Sequence, residues 1–173
     1  KVSMVTVDMG ALVLTSNGAA SSLACRDREA LTPEQIWESI TVGGNTYEMI
    51  CISVGNPHAV VFVEDTDSFP VEQIGPLFEN HHRFPDRVNT EFIQVVDQGM
   101  LKMRVWERGS GETMACGTGA TASAAAAMLA EYVHQETQVK LLGGSLSIAW
   151  DPATGHMMMT GPATEVFTGE IIL

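Results

Sequence analysis

Apolar and polar residues alternate with a period of two in many short stretches of this chain, the pattern of half-buried strands. Val2, Met4, Thr6 and Asp8 alternate with Ser3, Val5 and Val7 and predict a first strand. Further strands are predicted over 47–54, 58–64, 89–96 and 101–107, then over 137–142, 145–150, 156–160 and 164–167, with Gly, Pro and Asp between them. A turn-rich stretch runs from Thr15-Ser16-Asn17-Gly18 through Arg26-Asp27-Arg28-Glu29. Thr32-Pro33-Glu34-Gln35 opens a short helix, with Thr32 as cap, Pro33 at the first helical position and Gln35 completing a capping box. Residues 70–80 have helical spacing at Ile74, Leu77 and Phe78, but Gly75-Pro76 interrupts it.

One segment follows neither period. Residues 120–130 carry no charge and include four consecutive alanines, Ala124 to Ala127. Alanine has the highest helix propensity, and a helix that is apolar all round is normally buried. Small side chains let surrounding strands approach closely. The fold class that follows is α+β: many short, mostly antiparallel strands wrapped around one buried central helix. With 173 residues and no internal repeat or low-complexity linker, a single domain over 1–173 accounts for the chain.

Composition narrows the function classes. The formal net charge is −12, and the nine Lys and Arg are scattered. A nucleic-acid binder needs a basic footprint, so nucleic acid is excluded as a partner. No apolar run is long enough to span a membrane. Lys1-Val2-Ser3-Met4 lacks the pattern of a signal peptide and an initiator Met, and reads directly as a strand, which suggests a processed or excised piece of a longer protein. Three cysteines, an odd number without a secretory signal, argue against a disulfide framework and for the cytoplasm.

Each thiol is then core filler or chemistry. Cys116 sits between a strong strand and the alanine-rich helix, in Glu107-Arg108-Gly109-Ser110-Gly111-Glu112-Thr113-Met114-Ala115-Cys116-Gly117-Thr118-Gly119-Ala120. The glycines permit a row of unpaired amides at the helix N-terminus, a natural site for an anion such as a substrate carboxylate on Gly117, Thr118 and Gly119. The same field favours thiolate over thiol at Cys116. Glu107 and Arg108 point to opposite sides of a regular strand, unless the chain twists at Gly109. A lone cysteine beside Ala and Gly is as readily a small core residue. The residues alone leave these two readings about even.

Residues 107–120 closely resemble the second catalytic-cysteine motif of diaminopimelate epimerase, Glu-Arg-Gly-x-Gly-Glu-Thr-x-Ala-Cys-Gly-x-Gly-Ala, at every fixed position. Gly55-Asn56-Pro57-His58 resembles the family's substrate-contacting Gly-Asn-Pro-His. Phe84-Pro85 and Val88-Asn89-Thr90-Glu91-Phe92 are similar to its Phe-Pro and Asn-containing strand. Gly143-Gly144 followed by Leu146, and Thr160-Gly161-Pro162-Ala163, match its C-terminal pattern. The resemblance covers residue 55 to the C-terminus and, more loosely, 2–10. It implies interconversion of LL- and meso-diaminopimelate in bacterial lysine and cell-wall precursor synthesis, without cofactor or metal. Two cysteines act on opposite faces of the substrate α-carbon, because one base returning its own proton to the same face would not invert the centre.

Carried over by motif, Cys116 is one of the catalytic pair, with Glu107 and His58 beside it. Gly117 and Thr118 donate amides to the α-carboxylate. Asn56, Asn89, Glu107 and Arg108 bind the distal amino-acid end, Arg108 pairing with its carboxylate and Glu107 accepting from its ammonium. His58 lies near the pair and tunes it. The resemblance also implies a homodimer.

The pattern breaks at the other cysteine. The family's Asp-Gly-Asn-Gly-x-x-Cys segment, in a separate N-terminal half, has no counterpart. Asn17-Gly18 is followed by Cys25 at the wrong spacing, and Cys51 lies in the apolar run Met49-Ile50-Cys51-Ile52-Ser53, as core. The chain therefore reads as the C-terminal domain of the epimerase, with the N-terminal half absent and no activity alone. Other readings stand beside it: a related racemase acting on a substrate such as proline, a dimerisation module, and a thiol hydrolase pairing Cys116 with His58. A metal site at His81-His82 has no ligand spacing around it.

Overall fold

The computed structural model describes residues 3–18, 21–23 and 31–171. Cys25 and the charged run 26–29 lie outside them. The chain order is β1 (Met4–Leu14), β2 (Ser21–Leu23), α1 (Pro33–Ile36), β3 (Glu38–Val42), β4 (Asn45–Ser53), β5 (Pro57–Phe62), α2 (Val71–Glu79), β6 (Asn89–Asp97), β7 (Met100–Glu107), β8 (Gly111–Thr113), α3 (Gly117–Leu129), β9 (Glu136–Leu141), β10 (Gly144–Trp150) and β11 (His156–Pro162).

The strands form one sheet in the order β2-β1-β11-β10-β9-β7-β6-β5-β4-β3, and a further pairing of β1 with β4 joins its ends. Eight strands, β1, β11, β10, β9, β7, β6, β5 and β4, thus form a closed ring. This overturns the α+β class. The architecture is a mostly β, closed barrel, and its α-helices among the described residues are only four, nine and thirteen residues long. The physical reason lies in β1. It does not stop at Asp8 but continues past a bulge between Asp8 and Ala11, where Gly10 takes a positive φ of 78°. Its first half pairs with β11 and its far end with β4, through Val13 to Ser53 and Leu14 to Ile52. No local pattern signals a pairing between residues so far apart.

α3 is buried from Gly119 to Leu129 and packs against all eight ring strands. An eight-stranded ring has an interior just wide enough for side chains, so a helix fits only if its own side chains are nearly absent. Ala124 to Ala127 are wholly buried there. Outside the ring, α2 packs against β3, β6, β7 and β8, and its Val71 and Phe78 form a second core with Met49 and Cys51 of β4, Ala59 and Val61 of β5 and Phe92 of β6. These strands are buried on both faces, which explains the unbroken apolar runs at 49–52 and 59–61.

Two local expectations fail. Within residues 70–80, Val71–Glu79 form a helix straight through Gly75-Pro76. Gly75 is there because a Cβ would sit 2.5 Å from the Trp106 ring. Residues 164–167 are not a strand: β11 ends at Pro162, and Val166 and Phe167 are exposed.

Candidate active site

The motif around Cys116 folds as hairpin, turn and helix entrance. β7 delivers Glu107 to its end, residues 108–110 reverse the chain with Gly109 at φ 79°, and β8 returns with Gly111 opposite Glu107. A bidentate ion pair from Arg104 to Glu112, at 2.7 and 2.9 Å, braces the hairpin. Glu79, at the end of α2, holds its turn: its carboxylate accepts from Trp106 Nε1 at 2.7 Å, Gly109 N at 2.9 Å and Arg87 Nη1 at 3.2 Å.

Cys116 is the N-cap of α3, with extended backbone. Its sulfur accepts the Gly119 amide at 3.3 Å and lies 3.5 Å from Thr118 Oγ1. The helix entrance does not make it a thiolate. Burial pushes its pKa up to about 11, the Thr118 and Gly119 hydrogen bonds lower it by less, and the charges of Glu91 and Glu107 add to the rise. The balance therefore runs against the thiolate that the helix entrance favours, and toward the thiol at neutral pH. Cys51 pairs with Ala59 within the sheet, and burial pushes its thiol up to about 12.

From Thr118 a chain of polar groups leads inward. Asn56 Nδ2 donates to Thr118 Oγ1 at 3.3 Å, Asn56 Oδ1 lies 2.9 Å from His58 Nε2, and His58 Nδ1 lies 2.7 Å from Glu91 Oε1. β5 and β6 are parallel with His58 opposite Asn89, which sets Glu91 diagonally across from the imidazole. The structure thus brings Cys116, Thr118, Asn56 and His58 together.

The distal set is more dispersed. Asn89 spends its side chain on backbone, donating to the Pro57 carbonyl at 3.2 Å and accepting from Arg108 N at 3.0 Å. Glu107 is half-buried and accepts from Thr113 Oγ1 at 2.5 Å. Arg108 is exposed, with Nη1 donating to the Asp86 carbonyl at 3.1 Å. Beside this set a cleft of about 300 Å³ runs past Asn56, Pro57 and His58 to residues 83–88.

Two acidic residues escaped the sequence reading. Glu79 looked like the end of a broken helix, and Glu91 like one more residue of an Asn-containing strand. The signal for Glu91 was present: an acid between Thr90 and Phe92, at the head of the run Phe92-Ile93, is seldom buried without a task. His81 and His82 stack on each other with ring centroids 4.2 Å apart, and no group of three or more His, Cys, Asp and Glu among the described residues is placed to hold a metal ion.

The family model for diaminopimelate epimerase matches residues 50–166, which include the hairpin, Cys116 and the whole Asn56 to Glu91 chain. A diaminopimelate epimerase of Methanococcus maripaludis strain C6 is 47% identical over 99% of this chain and 59% of its own length. That of Agathobacter rectalis is 49% identical over 99% of this chain and 60% of its own. The chain thus spans about three fifths of the length of the curated relatives it matches. Among solved structures, a probable proline racemase from Agrobacterium radiobacter K84 superposes with a TM-score of 0.68 over 99% of this chain and 54% of that one, at 12% identity. That likeness shows a shared fold, the proline racemase type of closed sheet rather than an α+β arrangement. The match over most of the sequence, with the cysteine motif in place, shows that this chain belongs to the diaminopimelate epimerase family.

Proposed function

We propose that the chain is the C-terminal domain of an enzyme that interconverts LL- and meso-diaminopimelate by proton transfer between two cysteines, without cofactor or metal. The observation that supports this reading best is the placement of Cys116, the cap of a buried helix, with its sulfur between the Gly119 amide and the Thr118 hydroxyl. Inversion requires an acid and a base on opposite faces of the α-carbon. Held as a thiol at neutral pH, Cys116 is the acid of the pair in the resting chain and delivers the proton. The opposing thiolate removes one, and belongs to the part of the relatives' length that this chain does not span.

The first N–H groups of a helix have no carbonyl partner within it. Those of Gly117 and Thr118 receive the α-carboxylate. Arg108, on the exposed hairpin turn, takes the distal carboxylate, and Glu107 takes the ammonium in place of the Thr113 hydroxyl. Asn56 and Asn89 hold the walls on which these groups stand, and His58 tunes the pair. No helix among the described residues is long and apolar enough to cross a membrane. The proposal includes a cytoplasmic reaction and a homodimer of the full-length enzyme.

Exchange of the α-proton of LL-diaminopimelate into deuterated water tests this. The chain alone gives no inversion, and the full-length enzyme loses turnover on Cys116→Ala. Sustained inversion by the chain alone that survives replacement of both Cys25 and Cys51 overturns the reading, as does retained turnover in the full-length variant.

A further inference from the structure

Glu91 is an interior acid without an assigned task. Its side chain is wholly buried, as is that of His58, and its second oxygen, Oε2, has no hydrogen-bond partner among the described residues. Burying a carboxyl group is costly unless it is paired. Its placement against the helix entrance is just as close: a Cβ on Gly119 would lie 2.7 Å from Glu91 Oε1 and 3.1 Å from Cys116 Sγ. Those two distances put the carboxyl oxygen and the sulfur within about 6 Å of each other.

We infer that Glu91 is a positioning residue that keeps a hydrogen on both nitrogens of His58, and so sets the direction of a hydrogen-bond chain that ends on the sulfur of Cys116. The direction follows from what each atom can do. In this proposal Glu91 is the carboxylate, which only accepts, so Nδ1, 2.7 Å from Oε1, is the donor. The Asn56 carbonyl oxygen only accepts, so Nε2 donates to Asn56. The amide then gives a hydrogen to Thr118 Oγ1, and the hydroxyl hydrogen is left to point at Cys116 Sγ. A sulfur that receives a hydrogen bond is supported as thiolate, the form the reverse reaction needs. With Nε2 bare, each link turns over: the amide N–H faces His58, the hydroxyl faces Asn56, and Cys116 itself must donate, which supports the thiol. No proton travels along the chain, because the amide turns rather than conducts.

The ionisable groups that face this chain come from several elements. Glu91 stands on β6 and Glu107 at the end of β7, and both charges act on Cys116 at the entrance of α3. Cys51, on β4, feels Glu91 as well.

The inference rests on the reading of Cys116 as the proton-handling thiol, but its test needs no turnover. The chain, labelled with ¹⁵N in its histidines, is observed by long-range ¹H–¹⁵N correlation at pH 7, and His58 is assigned by its loss in His58→Gln. The wild-type spectrum shows both His58 nitrogens in the protonated range. In Glu91→Gln one of them moves to the downfield position of a nitrogen without hydrogen. A bare nitrogen on His58 in the wild-type chain overturns the inference, as does a Glu91→Gln spectrum identical to wild type. If that variant does not fold, the wild-type spectrum decides alone. A full-length enzyme that does not epimerise, with the His58 signature intact, refutes the proposed function and leaves this inference standing.

Discussion

Glu91, Cys116 and the first turn of α3 crowd around Gly119, and Gly119→Ala measures how tightly. On an exposed helix the change stabilises by about 1 kcal/mol. Here the added methyl would meet Glu91 Oε1 at 2.7 Å, Cys116 Sγ at 3.1 Å and Cys116 Cβ at 3.3 Å. Neither neighbour yields cheaply, since Glu91 is tied to His58 and Cys116 caps the helix. Overpacking a close-packed interior costs about 1–3 kcal/mol. Three contacts this close to tied neighbours put the cost in the upper part of that range, about 2–3 kcal/mol, so against the helical gain the net loss is about 1–2 kcal/mol. With a urea dependence of about 2 kcal/mol per molar, the unfolding midpoint falls by roughly 0.5–1 M. Gly117→Ala is the internal control. Its methyl would meet only the end of the Met159 side chain, Sδ at 3.1 Å and Cε at 3.3 Å, and a flexible thioether moves aside. Urea unfolding of the two variants beside wild type reads the difference. A Gly119→Ala chain as stable as wild type would falsify the claim that carboxyl and sulfur are fixed against this turn.

The raised pKa of Cys116 sets its reactivity: alkylation in the folded chain is slow at pH 7, rises about tenfold per pH unit because only the thiolate reacts, and levels off near pH 11. A rate already flat by pH 8 contradicts the burial argument. Glu79→Gln tests the brace under the hairpin. Burial raises the Glu79 pKa, but hydrogen bonds from Trp106, Gly109 and Arg87, with the Arg87 charge, outweigh it and hold the group below its ordinary value of 4.5. Its stabilising contribution is therefore present above pH 4.5 and lost as pH falls below that value toward the lowered one. The variant loses about 1–3 kcal/mol at pH 7, and its deficit narrows in acid. A deficit unchanged between pH 7 and pH 4 in urea titrations would show that the carboxylate charge does no such work.

Much of the strand inventory and the site could be read from the sequence because both are written locally. Period-two alternation in residues 101–107 and 145–150 marks strands wherever they pair, and the cysteine motif is a contiguous string. Ring closure is not local. It depends on Leu14 meeting Ile52 and Met4 meeting Pro162, so the class came out as α+β when it is a closed β-barrel. The capping box at Thr32 is real, with Thr32 N donating to Gln35 Oε1 at 2.8 Å, yet it opens a helix of only four residues, because the chain turns extended at Trp37. Gly75 reads as a helix breaker until Trp106 is seen against it. Only one of the influences on Cys116 is local: the helix field is visible in sequence, whereas burial and the charge of Glu91 appear only when β6 is folded beside α3.

The closed ring also constrains the order in which the chain can be assembled. α3 has strands before and after it in the sequence and carries no charged residue, so it has no stable existence in water before the strands cover it. Threading it into a finished ring would require pulling chain through a packed barrel. The strands must therefore gather around the helix, and a seam must close last. The natural candidates are the two pairings of β1, which join residues separated by most of the chain or rest on only two residue pairs. β1 forms one side of both candidate seams, so this strand acts as the latch of the barrel.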